Sequence, residues 1–259
     1  MDYSVFSATR KSPHHQKNED SLFIGDDILI VADGMGGESD GDIASKIAVD
    51  TIEAYFKENR PSSLSAGQMK EAMFATIHQA DANILQYTLE HPASAGMGTT
   101  VLLLIAQGNE LFIAWCGDSR CYLHDGKHIS SISKDHSYVQ ELVDAKEISV
   151  EDSYSHPDNN LITRYVGGGD EYCVPEFTTY TMRESDMIVM CSDGVAGYCR
   201  DAEVEACIEA DSDYVTLPER LLDTALVHGS DDDITVIVMS RRQTEAHHSI
   251  FSWFKHRNH

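Results

Sequence analysis

Positive charge is scarce in this chain: 19 lysines and arginines stand against 43 aspartates and glutamates, a net charge of -24 over 259 residues. A field of that sign repels phosphodiester backbones and anionic lipid headgroups, which argues against nucleic acid and membrane surfaces as partners. Long hydrophobic runs are missing as well. The longest aliphatic stretch, Val101 to Ala106, is far too short to span a bilayer. Met1 to Phe6 lacks the basic and then apolar pattern of a secretory leader, so the expected compartment is the cytoplasm. The six cysteines (Cys116, Cys121, Cys173, Cys191, Cys199 and Cys207) contain no C-x-x-C pair, and free buried thiols are expected. None has an arginine six positions on, which removes the cysteine-nucleophile route of phosphate hydrolysis. No G-x-x-x-x-G-K-[ST] loop is present, and neither H-E-x-x-H nor a Cys/His cluster suggests zinc.

What is present suffices for one sizeable core, since 42% of the residues are hydrophobic. Residues 21 to 32 read as two short strands broken by Gly25-Asp26-Asp27, the second ending at Asp33. Helical spacing of apolar residues runs from Asp42 to Asn59 and is stopped by Pro61. It resumes after Ser65-Ala66-Gly67-Gln68, which has capping-box form, and continues towards Glu90. Val101–Gln107 and Glu110–Cys116 flank Gly108-Asn109, a two-residue hairpin loop. Further strands are expected at Cys121–His124, Lys127–Ile132, Phe177–Tyr180, Met187–Cys191 and Ile234–Met239. Helices are expected at Tyr138–Lys146, Asp201–Glu209 and Tyr214–His228. Hairpins together with helix pairs imply sheets packed face to face under helices, in place of a doubly wound parallel sheet. Residues 148–176, rich in Asp, Gly and Asn, read as a flap beside a site. The tail, 243–259, carries Phe251, Trp253 and Phe254 and either docks on the body or forms a partner-binding peptide.

Two Asp-Gly signatures, Asp33-Gly34 and Asp193-Gly194, each follow a strand-like apolar run. With Asp231-Asp232-Asp233 they supply carboxylates from three remote segments. Convergence of such groups suits hard divalent cations, which prefer oxygen ligands, although most of the excess acid is ordinary solvated surface.

The segments Asn18-Glu19-Asp20, Val31 to Gly37, Met97-Gly98-Thr99-Thr100, Gly117-Asp118-Ser119-Arg120, Asp135-His136-Ser137, His156-Pro157 with Ile162-Thr163-Arg164, Ser192-Asp193-Gly194 and Gly229 to Thr235 form an ordered set. From Asn18 to about Ser240 the chain resembles the metal-dependent protein phosphatases of the protein phosphatase 2C (PPM) type, in their bacterial form. The resemblance implies an α/β (α+β) fold, a four-layer α-β-β-α sandwich with two mainly antiparallel central sheets, in a domain spanning 1–242. It implies hydrolysis of phosphoserine and phosphothreonine on proteins by a metal-bridging water, with no phosphoenzyme. Two Mn²⁺ or Mg²⁺ ions are implied, with a third at a weaker site. Phosphomonoesters are dianions, and cations both neutralise their oxygens and activate water near neutral pH. Carried over, Asp33 bridges the metals and Gly34 contributes its carbonyl. Asp193 and Asp232 ligate, Asp118 serves the weaker ion, and Asp20 with Glu19 holds metal-bound waters. Phosphorylated proteins are the implied substrates of a monomer that opposes a Ser/Thr kinase.

Three positions depart from the family pattern. Met35 stands where many eukaryotic members carry a catalytic histidine, and Asp233 where the usual residue is asparagine. The added charge at Asp233 either strengthens cation binding or titrates upwards beside its neighbours. His15 occupies the place of a phosphate-gripping arginine, so the grip falls to His15, to Arg10, or to neither. Arg120 is expected to pair with carboxylates and brace the site. Asp231 to Thr235 also matches the D-x-D-x-T string of aspartate-nucleophile hydrolases, but a helix-like segment precedes it where a strand is required. The rival from another class is a noncatalytic fold member that binds metal or phosphoprotein; retention of Asp33, Asp193 and Asp232 argues against it, because clustered like charges are costly without cations.

Overall fold

The computed structural model describes residues 3–36, 40–211 and 213–241. One antiparallel sheet has the order β1 (Tyr3–Arg10), β11 (Ile234–Arg241), β10 (Met187–Cys191), β7 (Arg120–His124), β8 (Ile129–Ser131). The other runs β2 (Asp20–Ile24), β3 (Ile28–Met35), β5 (Val101–Gln107), β6 (Glu110–Cys116), β9 (Glu176–Thr181), with β4 (Gly98–Thr99) against the end of β3.

The central strands are apolar throughout because both faces of each sheet are covered. In β3, Ile28, Ile30 and Ala32 face outwards to α1 (Gly41–Glu58) and α2 (Ala66–Glu90), meeting Ala48, Ile52, Met73 and Ile77. Leu29 and Val31 point the other way, to Leu102, Leu104, Ile188, Met190, Ile237 and Met239 between the sheets. On the far side, Val189, Val236 and Val238 pack under α5 (Asp193–Ala196), α6 (Asp201–Glu209) and α7 (Leu217–Val227). Three apolar layers therefore separate four layers of secondary structure, the expected sandwich.

Local signals set the boundaries. The Ser65 hydroxyl accepts the Gln68 N–H while the Gln68 side chain accepts from the Ser65 N–H, so α2 starts at the foreseen capping box. The last helix starts at Leu217, three residues later than its apolar spacing suggests, with Pro218 in the first turn. Among the strands and α-helices of the described residues, four were not foreseen: β1, β4, α4 (Val150–Ser153) and α5. The six cysteines are free and buried. The tail lies outside the described residues, as does Gly37.

Candidate active site

The period of two that builds β3 also aims its carboxylate. Leu29 and Val31 face the inter-sheet core, and Asp33, two positions on, continues that row. Asp20 opens β2 directly opposite Asp33 in the antiparallel register. Such pairs stand about 5 Å apart at Cβ. From the other sheet, β10 passes through Ser192 into Asp193, the first residue of α5, and Asp232 lies in the turn before β11. Asp118 lies on the connection that carries the chain from β6 in one sheet to β7 in the other.

The carboxylates meet. Burial first, and then the charges of Asp20, Asp193, Asp232 and Asp118, hold the Asp33 carboxyl well above the ordinary carboxylate range. Asp193, in hydrogen-bonding contact with Asp33, is pushed up to about 7 by burial and by Asp232. Burial likewise lifts Asp20 to about 7. Asp118 is raised by burial and by Asp193, and Asp232 mainly by burial. Each reports the same cost, that of holding several negative groups in one desolvated place.

Neutral neighbours brace the cluster without discharging it. The Asp33 N–H donates to Thr100 Oγ1 (2.9 Å), and the Thr99 hydroxyl donates to the Asp33 carbonyl (2.9 Å). The Ser192 hydroxyl donates to Asp20 Oδ2 (2.9 Å) and accepts the Thr235 N–H (2.9 Å), tying the two sheets together beside the site. A Cβ on Gly34 would lie 2.1 Å from the Gly41 carbonyl oxygen and 2.6 Å from that of Glu19, so only glycine permits this packing. Gly117, at φ +118°, turns the chain into Asp118.

This donor set fits divalent cations. Buried oxygens Asp20 Oδ1 and Asp193 Oδ1 have no hydrogen-bond partner. Unpartnered buried carboxylate oxygens amid repelling neighbours are what a bound cation compensates.

The structure does not bring Arg10 to the cluster. Its guanidinium donates to Asp223 (2.7 Å) and Glu219 (2.9 Å), one turn apart on the exposed face of α7. Of the two residues the sequence offers for gripping phosphate, Arg10 is thus engaged with α7. His15 does lie at the cluster, its ring nitrogen and the carboxylates of Asp232 and Asp233 all within 4.8 Å of one another. Its partner is the residue at the other departure from the family pattern: His15 Nδ1 bonds Asp233 Oδ2 at 2.9 Å. Asp233, 2% exposed, also accepts the N–H groups of Ser12 (2.6 Å) and Glu19 (2.7 Å). It therefore anchors both ends of the segment that carries His15. The hydrogen bond to Asp233 raises the imidazole above its ordinary pKa, against the opposing effect of burial.

A cleft of about 180 Å³ opens over the carboxylates, lined by Asp118, Asp193 and Asp232 and also by Ser153, Tyr154 and Asn159 from the segment 148–176. Arg120 grips Asp135 with Nε to Oδ1 at 2.8 Å and Nη2 to Oδ2 at 2.6 Å, the expected bracing pair. Sequence reasoning missed Ser192, Thr99 and Thr100 as individual supports, although all three lie inside the motifs that carry the resemblance.

The sequence pattern of the family described as Protein phosphatase 2C matches residues 12–228. Serine/threonine phosphatase stp of Listeria monocytogenes is 32% identical over 235 residues, 90% of this chain and 92% of the relative. Serine/threonine protein phosphatase PstP of Mycobacterium tuberculosis is 32% identical over 221 residues, 85% of this chain and 41% of that longer protein. Among solved structures, serine/threonine phosphatase Stp1 of Staphylococcus aureus superimposes with a TM-score of 0.86 at 27% identity, covering 93% of this chain and 95% of that one. The catalytic domain of PstP in complex with two manganese ions gives 0.81 at 28% identity, with 92% and 97% covered.

Proposed function

The chain belongs to the protein phosphatase 2C family, and from that membership we infer that it removes phosphate from phosphoserine and phosphothreonine in proteins, using divalent cations. The observation that carries the reading is the meeting of Asp33, Asp193 and Asp232 around buried, unpartnered carboxylate oxygen. We propose that Asp33, the Gly34 carbonyl, Asp193 and Asp232 hold two cations, Asp118 a weaker third, and that Asp20 with Glu19 orients water at their edge. When bound, the cations neutralise phosphoryl charge and make a nucleophile of water near neutral pH. His15, locked in orientation by Asp233, donates to a phosphoryl oxygen in place of an arginine.

Manganese is the expected ion, and magnesium a working substitute. The phosphatase domain covers 1–242, with 148–176 as a flap over the cleft. We place the protein in the cytoplasm as a monomer opposing a Ser/Thr kinase; no helix among the described residues is long and apolar enough to cross a membrane.

The test is Mn²⁺-dependent phosphate release from a phosphoserine peptide, lost in chelator and recovered on adding Mn²⁺. Asp33→Ala and Asp193→Ala should abolish turnover while circular dichroism reports a folded protein. Turnover by a folded double variant would overturn the site.

A further inference from the structure

Asp118 sits on the connection between the sheets, and burial together with the charges of Asp193 and Asp135 works against its own charge. Among the described residues no donor from another residue bonds its carboxylate. Its place in the cluster therefore depends on the backbone at either side. On one side the Ser119 hydroxyl bonds Thr100 Oγ1 (2.7 Å), the oxygen that also accepts the Asp33 N–H. On the other, Gly117 turns at φ +118° against Thr100, where a Cβ would lie 2.5 Å from Cγ2. A single residue binds this glycine twice. The Gly117 N–H donates to His136 Nδ1 (3.1 Å), and the Gly117 carbonyl accepts the His136 N–H (3.0 Å).

His136 is itself fixed. It is 5% exposed, its ring stacks on Trp115 with centroids 6.2 Å apart, and its carbonyl accepts the Thr163 N–H (2.7 Å). A backbone N–H can only donate, so Nδ1 is the acceptor and the ring proton sits on Nε2. That nitrogen faces Glu176 Oε1 at 3.4 Å, an oxygen that Arg164 Nη1 also holds, at 3.0 Å. An apolar residue of similar size would fill the same space against Trp115. What it would not supply is an acceptor at the position of Nδ1, which the buried Gly117 N–H requires.

We propose that His136 is a positioning residue for the weakest cation site: by accepting the Gly117 N–H it keeps Asp118 turned into the cluster against the repulsion of its neighbours. The proposal rests on the phosphatase reading and adds to it a residue that touches neither substrate nor ion. Without the acceptor, a buried N–H is left unsatisfied, and rotating the 116–117 peptide relieves it. Asp118 then swings with the turn, away from Asp193. Asp33, Asp193 and Asp232 are carried by other segments and keep their places, so the loss falls on one site.

The experiment titrates the metal-free full chain with Mn²⁺ by calorimetry, in the wild type and in three variants. His136→Asn puts an amide oxygen where Nδ1 stood, His136→Gln carries its oxygen one carbon further, and His136→Ala has no acceptor. The wild type should show two tighter sites and one weaker. His136→Ala and His136→Gln should weaken the weakest site about tenfold, the scale for residues that hold a metal ligand in place, with the two tighter sites within about twofold of wild type. His136→Asn should restore the weak site to within about threefold, a rescue that a space-filling role does not predict. In Asp118→Asn, which lacks the site, adding His136→Ala should change Mn²⁺ binding no further. Circular dichroism checks folding, and if His136→Ala does not fold, the Asn and Gln variants decide. A weak site unchanged in His136→Gln, an Asn variant no better than Gln, or all three sites weakened together would overturn the proposal. A wild type that binds two ions only removes the ion of Asp118, and the proposal with it, while the phosphatase reading stands. If the wild type binds no Mn²⁺ at all, that reading fails as well.

Discussion

Restoring the family's residue at position 233 should harm this protein. Asp233 accepts three N–H donors: Ser12 at 2.6 Å, Glu19 at 2.7 Å and the His15 ring at 2.9 Å. Asparagine offers one carbonyl oxygen and turns its amide donors to the other side. The His15 ring can adapt by changing tautomer, but a backbone N–H cannot. Whichever way the amide faces, one of the Ser12 and Glu19 donors loses its acceptor. The lost bond is one to a charged group, worth about 1.5–3 kcal/mol. For a domain of this size each kcal/mol shifts Tm by about 2–4 °C, so Asp233→Asn should melt up to about 12 °C below wild type, less the gain from relieving repulsion on Asp20 and Asp232. His15→Ala removes the bond on a half-buried ring and spares both backbone donors, so its cost should stay below about 1 kcal/mol. Thermal unfolding of both variants in chelator separates this anchor effect from metal binding. If Asp233→Asn melts with wild type, or His15→Ala is the more damaging of the two, Asp233 does not hold the loop as argued.

The metal-free protein should gain stability as pH falls from about 7 towards about 4. Asp20 and Asp193 titrate at about 7 when folded, against 3.8 for the free side chain, so in that window the native state keeps protons that the unfolded chain has released; a metal-free Tm that climbs with pH would contradict this. Asp193→Asn should raise the metal-free Tm by about 2–4 °C for each kcal/mol of repulsion relieved, while abolishing turnover and the Tm gain on adding manganese. In the wild type, Mn²⁺ at about a hundred times its Kd should add about 2.7 kcal/mol, visible as a higher Tm that chelator reverses. Reducing agent should leave Tm unchanged, because all six cysteines are free.

The parts of this fold legible in the sequence are those whose pattern repeats within one element. β5 and β6 read as a hairpin because both strands are apolar and Gly108-Asn109 falls between them. α2 read as a helix because its cap and its spacing agree. β1 did not, since Ser4, Ser7 and Thr9 dilute its pattern and its partner β11 lies at the other end of the chain. α4 and α5 are single turns, too short to show a period. That Asp33, Asp193 and Asp232 converge was an expectation carried by the resemblance, which fixes order along the chain. The partners of Arg10 and His15 were not. Glu219 and Asp223 repeat at helical spacing on a surface that only the folded chain brings beside β1, and the bond from His15 to Asp233 spans 218 positions.

The placement of the carboxylates ties catalysis to the packing of the sandwich. Asp20 and Asp33 belong to one sheet, Asp193 and Asp232 flank strands of the other, and Asp118 sits on the crossing between them. Ion binding at this point draws together two layers that elsewhere meet mainly through apolar contacts such as Val31 and Leu102 with Met190 and Ile237, with polar links such as Tyr3 to the Gly108 carbonyl at the far edge. Without the ions, repulsion among the same groups pushes the layers apart at that edge while the apolar core holds them behind it. Loss of metal should accordingly loosen the β3–α1 and β10–α5 junctions before the hairpin β5–β6. Hydrogen exchange can rank the three: faster exchange in chelator at residues 33–36 and 192–196, with 101–116 unchanged, is the expected order, and uniform acceleration would mean that the ions stabilise the whole domain instead of its seam.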